Sequence, residues 1–202
     1  MKKLMPQKEM ILWDLVDLHE DKKCIGVKWI YKTKLNVDGD VEKYKARLVA
    51  QGFSQQPGID YNETFSPVST LDMVRMVLEI VAHNKCHVHQ MDVMSALLNG
   101  SLEEEVYVRQ PLGYEIDGQE NMVYILKKVL YGLKQVPRVW YNKTDDYWNS
   151  EGFNKSPNEP ILYTKVIQEG KILIVFLYVD DLIVTGDISV DEFKKAMKKN
   201  LR

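Results

Sequence analysis

Residues 172–184 have the sequence ILIVFLYVDDLIV, in which two adjacent carboxylates, Asp180 and Asp181, separate two apolar runs. Because β-branched and aromatic residues favour strands, this pattern predicts an antiparallel hairpin with its turn at the aspartates. Aspartate is also a common turn residue in proteins that have no active site there. Taken alone, the pair favours a solvated tight turn, and only a further carboxylate nearby would favour a functional site.

A third carboxylate, Asp92, also follows an apolar segment, which the sequence predicts as a short strand over residues 86–93. If this strand lies beside the hairpin, three carboxylates converge at one edge of a sheet. Divalent cations such as Mg²⁺ prefer oxygen ligands, typically one or two carboxylates together with substrate phosphates. Two-metal phosphoryl transfer uses such a cluster, whereas three carboxylates without a cation would repel one another and bind protons. A converged cluster therefore favours a cation site.

Length and composition describe an ordinary globular chain of 202 residues, 45% hydrophobic and 28% charged, with a formal charge of -2. This balance gives no global basic field of the kind that marks many nucleic-acid-binding domains. Two cysteines and the lack of a secretory signal predict free thiols in a reducing, intracellular compartment. No stretch is apolar and long enough to span a membrane, so no membrane partner is expected.

The remaining patterns predict an α+β fold, with an antiparallel sheet covered by helices on one side. A hairpin is expected over residues 24–51, with its turn at Gly39 and a half-buried first strand. One helix is expected to start at Ser69, which with Asp72 fits a capping box, and to end near Asn84. A second helix is expected from Pro137 to about residue 149, followed by strands over 163–167 and 172–179.

The hairpin carries a local basic patch, which the near-neutral total charge hides. Its members are Lys28, Lys32, Lys34, Lys43, Lys45 and Arg47. Edge strands often carry lysine, so a solvated strand face is an equally good explanation of this patch. The pair His87 and His89 and the tryptophans Trp29, Trp140 and Trp148 are interpreted as structural, although histidine can bind metals and tryptophan can stack on bases.

Six stretches together resemble the reverse transcriptase domain of copia-type LTR retrotransposons, in the family's order and spacing. They are residues 43–53 (KYKARLVAQGF), 60–68 (DYNETFSPV), 89–93 (HQMDV), 130–135 (LYGLKQ), 137–138 (PR) and 178–182 (YVDDL). Each stretch alone is a weak signal, but six in order form a strong one. The resemblance covers about residues 13–187.

The resemblance implies a right-hand polymerase. Residues 1–9 would be a flexible N-terminus, 10–68 the fingers hairpin and loop, and 69–187 the palm, with a finger insertion around 105–135. Residues 188–202 would form a C-terminal helix, truncated before the thumb. The implied activity is RNA-directed DNA polymerisation, by two-metal transfer from a dNTP to a primer 3′-hydroxyl. The implied cofactor is Mg²⁺, or Mn²⁺ in its place, and the partner is an RNA/DNA template-primer; the oligomeric state stays open.

The resemblance also assigns site residues. It implies that Asp92 and Asp180 are the principal metal ligands and that Asp181 supports the site. Lys45 and Arg47 would hold the incoming triphosphate. In the same way, Gln135 would contact the incoming nucleotide and template, and Tyr178 would lie beside the primer end.

Two positions depart from the family's usual pattern. Leu97 stands where the family has a phenylalanine that acts as a steric gate against the ribose 2′-hydroxyl, so weaker sugar discrimination is expected. Thr144 stands where the family's helix has an apolar residue, and its hydroxyl is costly to bury unless it is paired. These departures leave open two alternatives: a weak or inactive fragment that at most binds nucleic acid, and a decaying gene remnant.

Overall fold

The computed structural model describes residues 12–93, 96–98, 100–167, 170–179, 181–186 and 193. These residues contain both helices and antiparallel sheets, so the predicted α+β class is confirmed. The strands are β1 (Trp13–Val16), β2 (Cys24–Ile25), β3 (Val27–Leu35), β4 (Val41–Ala50), β5 (His87–Asp92), β6 (Tyr107–Arg109), β7 (Val123–Leu126), β8 (Asn154–Lys155), β9 (Leu162–Val166), β10 (Ile172–Tyr178) and β11 (Asp181–Gly186). The α-helices are α1 (Leu71–Asn84) and α2 (Val136–Ser150).

The chain divides into two compact units, of residues 1–63 with 101–136 and of residues 64–100 with 137–202. The first unit contains a four-stranded sheet in the order β1-β7-β6-β2 and a separate two-stranded sheet, β3-β4. The second contains α1, nearly all of α2 and a five-stranded sheet in the order β5-β11-β10-β9-β8. All neighbours in this larger sheet run antiparallel.

The β3-β4 hairpin forms as predicted, with paired residues from Val27↔Ala50 to Leu35↔Val41. Its predicted start at residue 24 is wrong, because Cys24–Ile25 forms the separate strand β2, which pairs in parallel with β6. The prediction of a half-buried strand is also wrong beyond the base of the hairpin: Tyr31 is 67% exposed. No third strand pairs with β3 or β4 in the described part of the chain, so the alternating apolar residues of β3 have no further strand that would help to bury them.

Two glycines bring β4 against the loop that precedes α2. The Ala50 amide donates a 2.7 Å hydrogen bond to the Tyr131 carbonyl. At Gly132, φ is +93°, and a Cβ there would overlap the Ala50 carbonyl oxygen. A Cβ on Gly52 would likewise overlap the Gly132 carbonyl oxygen. Backbone contact this close requires glycine, which explains why two of the quoted stretches, far apart in sequence, contain it.

Helix α1 ends at Asn84 as predicted, but its cap differs. The N-cap is Thr70, whose side-chain oxygen accepts from the Met73 amide at 3.4 Å, so the capping box predicted from Ser69 is wrong by one residue. On the predicted apolar face, Val77 and Val81 are buried, whereas Leu71 is 75% exposed.

The core of the second unit lies between the five-stranded sheet and the two helices. Trp140 and Trp148 of α2 are 2% and 0% exposed, which confirms their interpretation as core residues. Thr144 is fully buried, and its Oγ1 lies 2.8 Å from the Tyr141 carbonyl oxygen, to which it donates. The hydroxyl is therefore paired, so the cost expected for an unpaired buried hydroxyl at Thr144 does not arise.

Two predictions concern the ends of the chain. The helix expected over residues 188–202 lies outside the described residues except for Phe193, which is helical and packs in the core of the second unit. The flexible segment expected over residues 1–9 also lies outside them. Neither helix of the described chain combines the length and apolarity needed to cross a membrane.

Candidate active site

The turn between β10 and β11 is a two-residue turn, because Tyr178 and Asp181 are the last paired residues of the hairpin. The predicted hairpin forms, but its turn lies one residue earlier than predicted, because Asp181 is already paired in β11. The first turn residue, Val179, has φ +56°, the left-handed value that the first turn position of such hairpins requires. A β-branched residue rarely adopts this conformation. The second turn residue, Asp180, lies outside the described residues.

A tryptophan from α2 holds this turn. The Trp140 indole Nε1–H donates a 2.7 Å hydrogen bond to the Val179 carbonyl oxygen. Trp140 is itself almost fully buried, so its ring position is fixed by the core. Sequence reasoning recognised Trp140 as a core residue but missed this contact. The only signal was general: a buried indole N–H usually finds an acceptor.

Asp92 and Asp181 lie directly opposite one another. Strand β5 pairs with β11 in the register Asp181↔Asp92, and β11 pairs with β10 in the register Tyr178↔Asp181. The three residues thus form one row across three adjacent strands. Directly opposed residues have Cβ atoms about 4.5–5.5 Å apart and share a face of the sheet. The structure therefore places Tyr178, Asp92 and one member of the aspartate pair together.

Gln90 contributes a polar contact on the same face. It lies two residues before Asp92, and its Nε2 donates a 3.3 Å hydrogen bond to Asp181 Oδ1. His87 and His89 alternate with these residues, so they belong to the opposite face of the sheet from Asp92. The two histidines therefore lie away from the Asp92–Asp181 pair, and their structural role stays a prediction.

The opposed carboxylates fit a divalent cation. Like charges directly opposite on neighbouring strands are destabilising, and no lysine or arginine of the described chain forms an ion pair with Asp92 or Asp181. Their oxygens are the ligand type that Mg²⁺ and Mn²⁺ prefer. No group of three or more potential metal ligands occurs among the described residues, which leave out Asp180. The donor set that is described fits a hard cation and is one carboxylate short of the predicted cluster.

The cationic candidates lie in the first unit. Lys45 and Arg47 alternate on β4 and therefore share one face of the hairpin. The Arg47 guanidinium carbon lies 5.5 Å from the centroid of the Tyr131 ring. This contact orients Arg47 at the base of the hairpin, where the side chain is still exposed.

Comparison with known proteins assigns the family. The model of a family described as reverse transcriptase (RNA-dependent DNA polymerase) matches residues 10–202. The chain belongs to the reverse transcriptase family. Its resemblance to the copia-type domain is confirmed by similar proteins from plant transposons.

Three relatives show how far this membership extends. The chain is 43% identical over 174 residues to a retrovirus-related Pol polyprotein from transposon TNT 1-94 of Nicotiana tabacum, which covers 86% of this chain and 13% of the polyprotein. It is 43% identical over 177 residues to that from transposon RE1 of Arabidopsis thaliana, covering 87% and 12%. It is 27% identical over 197 residues to the Ty1-BL Gag-Pol polyprotein of Saccharomyces cerevisiae, covering 96% and 10%. The chain thus spans about an eighth of the plant relatives' length.

The stretch around Gln135, one of the six that carry the resemblance, is held by internal hydrogen bonds. Gln135 is 1% exposed; its Nε2 donates to the Asp60 carbonyl oxygen at 3.0 Å, and its Oε1 accepts from Gln55 Nε2 at 3.0 Å. Gln55 Oε1 in turn accepts from the Lys134 amide at 2.7 Å. A nucleotide contact by Gln135 stays a prediction and requires exchange of these bonds. Sequence reasoning missed Gln55, the buried centre of this network.

The last two candidates lie in the second unit. Leu97, in a 3-10 turn over Ala96–Leu98, is partly buried and packs against the core cluster. Tyr178 is 47% exposed at the end of the row that contains Asp181 and Asp92. Their predicted roles at the ribose and at the primer end stay predictions.

Proposed function

We propose that the chain is the polymerising part of a reverse transcriptase, with the first unit as fingers and the second as palm. The observation that carries this proposal is the register Asp181↔Asp92, which sets two carboxylates face to face beside the turn that contains Asp180. Membership of the reverse transcriptase family supports the substrate class, a template-primer and dNTPs. The template-primer would be RNA/DNA, as the description of the matched family suggests.

In this proposal the three aspartates hold two divalent cations, Mg²⁺ or Mn²⁺. When bound, such cations would activate the attacking hydroxyl and stabilise the leaving phosphate oxygen. The attacking group is the primer 3′-hydroxyl, so the protein needs no nucleophilic side chain. The residues of the chain position the metal-binding groups and neutralise phosphate charge. Gln90 orients the Asp181 carboxylate, and Trp140 holds the turn through Val179. Catalysis then rests on positioning and charge stabilisation.

Lys45 and Arg47 are assigned to the triphosphate of the incoming nucleotide. Their cationic groups would neutralise phosphate charge, and a guanidinium can do so through two parallel hydrogen bonds. Tyr178 would support the primer end from its place in the row of three strands. Leu97 would weaken discrimination against ribonucleotides, because its side chain is smaller than the phenylalanine of the family's pattern.

The proposal is tested by primer extension on an RNA template with Mg²⁺ and, separately, Mn²⁺. We expect extension by the wild-type chain, and its loss in both Asp92→Asn and Asp181→Asn. The matched control is Asp72→Asn, a carboxylate of the same unit with a 90% exposed side chain on α1, which should extend as the wild type does. Extension by Asp181→Asn at the rate of the control would overturn the assignment.

A binding role without catalysis is the second candidate. It is the alternative that the departure from the family's pattern at Leu97 leaves open. Saturable, salt-dependent binding of a primer–template with no extension under either metal would favour this role.

A further inference from the structure

The β3-β4 hairpin has one face without charged residues. Opposed and alternating residues share a face of a strand pair, so the register assigns every lysine and arginine of the two strands to the other face. The acidic residues of the hairpin lie in the turn, at Asp38 and Asp40, or at the register shift, at Glu42. Beyond Val27, the large side chains of this uncharged face are Trp29, Tyr31, Leu35, Val41, Tyr44 and Leu48.

The outer part of the uncharged face is open to solvent. Tyr44 is 80% exposed, and Tyr31, Leu35 and Val41 are exposed as well. Lysines alternate with uncharged residues along much of β3, a pattern that is typical of a strand with one face buried. The rest of the described chain leaves these four side chains exposed. The sequence pattern therefore indicates a burial that the single chain does not provide.

A tyrosine from a neighbouring loop extends the uncharged face. Tyr114, which follows β6, packs on Trp29 with ring centroids 5.6 Å apart, and Trp29 stacks on Tyr31 at 6.3 Å. The exposed side chains of the uncharged face and of Tyr114 present together about 600 Å² of accessible surface. This area is at the upper end of the largest apolar patch of a typical monomer, about 300–600 Å². Two such patches in contact would bury about 1,200 Å², enough for a specific protein interface.

We propose that the uncharged face of the hairpin is a contact surface between two copies of this chain. A two-fold axis brings the same patch of both copies together, so the patch must be complementary to itself. A patch of one charge sign fails this requirement, whereas an uncharged apolar patch meets it. The two hairpins would lie face to face about 10 Å apart. Their lysines would lie on the two outer surfaces, farther apart than the roughly 8 Å Debye length at physiological salt, and would not oppose association.

The chemistry of the face favours a second copy over a partner of another kind. A charged protein surface or a nucleic acid is recognised by side chains of opposite sign, and this face of the hairpin has none. A two-stranded hairpin is marginally stable alone, and a second apolar sheet face would give it a two-layer core. None of the exposed residues of the face is assigned to catalysis or nucleotide binding, so the contact is independent of the proposed polymerase function.

The test is the mass of the full chain in solution, measured by sedimentation equilibrium without nucleic acid or nucleotide. Protein concentration is varied from about 1 to 100 μM, because specific interfaces of ordinary size dissociate at micromolar concentrations or below. We expect the mass to rise from that of one chain to that of two. Association should persist when salt is raised from about 50 to 500 mM, since burial of apolar surface is not screened by ions.

The variant Leu35→Gln/Tyr44→Gln removes apolar area from two exposed positions of the uncharged face. Each change occurs twice in a symmetric dimer, so the dissociation constant should rise about 100-fold or more. The matched control is Lys34→Gln/Lys43→Gln, an opposed pair at the same end of the hairpin on its other face, which should associate as the wild type does.

A second variant on a different element, Tyr114→Gln, keeps the test decisive if the hairpin variant does not fold. It should raise the dissociation constant about fivefold or more, while circular dichroism at about 1 μM shows an unchanged spectrum. A wild-type chain that stays single up to about 100 μM would overturn the inference. So would an equal weakening by the lysine control, wild-type association in the Leu35→Gln/Tyr44→Gln and Tyr114→Gln variants, or dissociation at high salt. Failure of the polymerase proposal is a separate result, namely no primer extension.

Discussion

Substitution of Trp140 by phenylalanine tests how the aspartate turn is held. The change removes the indole N–H that donates to the Val179 carbonyl at 2.7 Å and keeps an aromatic ring in the core. Val179 has φ +56°, so the turn is strained before any ligand arrives. We expect the substitution to lower turnover as well as stability.

The size of the expected fall in kcat follows from two opposed free energies, the cost of the left-handed turn and the contribution of the hydrogen bond that holds it. The left-handed conformation costs a non-glycine residue about 1–2 kcal/mol. A neutral hydrogen bond contributes about 0.5–1.5 kcal/mol net, and Val179 is 48% exposed, so water can hydrate its released carbonyl and the larger penalty for a buried orphan does not apply. Loss of the bond therefore removes about 1 kcal/mol of support from the strained turn. This corresponds to a roughly fivefold fall in kcat of primer extension if the turn then leaves its active conformation.

The assay is a double-mutant cycle with Val179→Gly, since glycine adopts a positive φ without strain. Trp140→Phe should lower kcat about fivefold alone and less than twofold in the Val179→Gly background. Its effect on the free energy of unfolding should be similar in both backgrounds, because the lost core volume is the same. Equal kcat losses in both backgrounds, or no loss in either, would refute the role of Trp140 as a positioning residue.

The matched control is Trp148→Phe. Trp148 lies on the same helix, is fully buried, and its Nε1 has no hydrogen-bond partner among the described residues. The substitution removes the same atoms from the same core without freeing a turn carbonyl. It should lower the melting temperature and leave kcat unchanged.

Three further predictions follow from other contacts. Leu97→Phe should increase the preference for deoxyribonucleotides, measured as the ratio of kcat/KM values for dNTP and rNTP; an unchanged ratio refutes the gate assignment. Gly132→Ala places a Cβ against the Ala50 carbonyl at φ +93° and should lower the free energy of unfolding by about 1–3 kcal/mol or more in urea denaturation; a loss below about 0.5 kcal/mol contradicts the close approach. The hydrogen bond from Lys22 lowers the pKa of Glu105 in the folded protein. This ion pair therefore stabilises the fold above the unfolded pKa of about 4.3, and that stabilisation is lost as pH falls through the lower folded pKa. Lys22→Gln should lose less stability than the wild type on acidification.

The sequence predicted the strands and helices whose bounds are marked by residues adjacent to them in the chain. The apolar run of β10 was located to within one residue, because its bounds are set by adjacent charges and turn residues. The parallel pairing of Cys24–Ile25 with β6 was missed, since a two-residue strand carries no periodicity. The exact N-cap of α1 could not be predicted, because Ser69 and Thr70 are both suitable cap residues and only the local geometry selects Thr70.

The candidate site shows the same division. The chemistry of Asp92 and Asp181 was evident from the sequence, but their opposition depends on the register of two strands that lie far apart in the chain. Alternation of side chains fixes which face a residue takes and leaves the choice of neighbouring strand open. The support from Trp140 could not be predicted either, because it joins a helix to a turn 39 residues away.

The central claim is that Asp92 and Asp181 hold the same divalent cation, and Mn²⁺ binding measured by electron paramagnetic resonance tests it most directly. Titrations are compared for the wild type, Asp92→Asn, Asp181→Asn and the double variant, with template-primer and dNTP present and a 3′-deoxy primer to prevent turnover. We expect each single substitution to abolish the tightest site and the double variant to lose nothing more. Wild-type affinity in either single variant, or losses that add independently, would contradict a shared site.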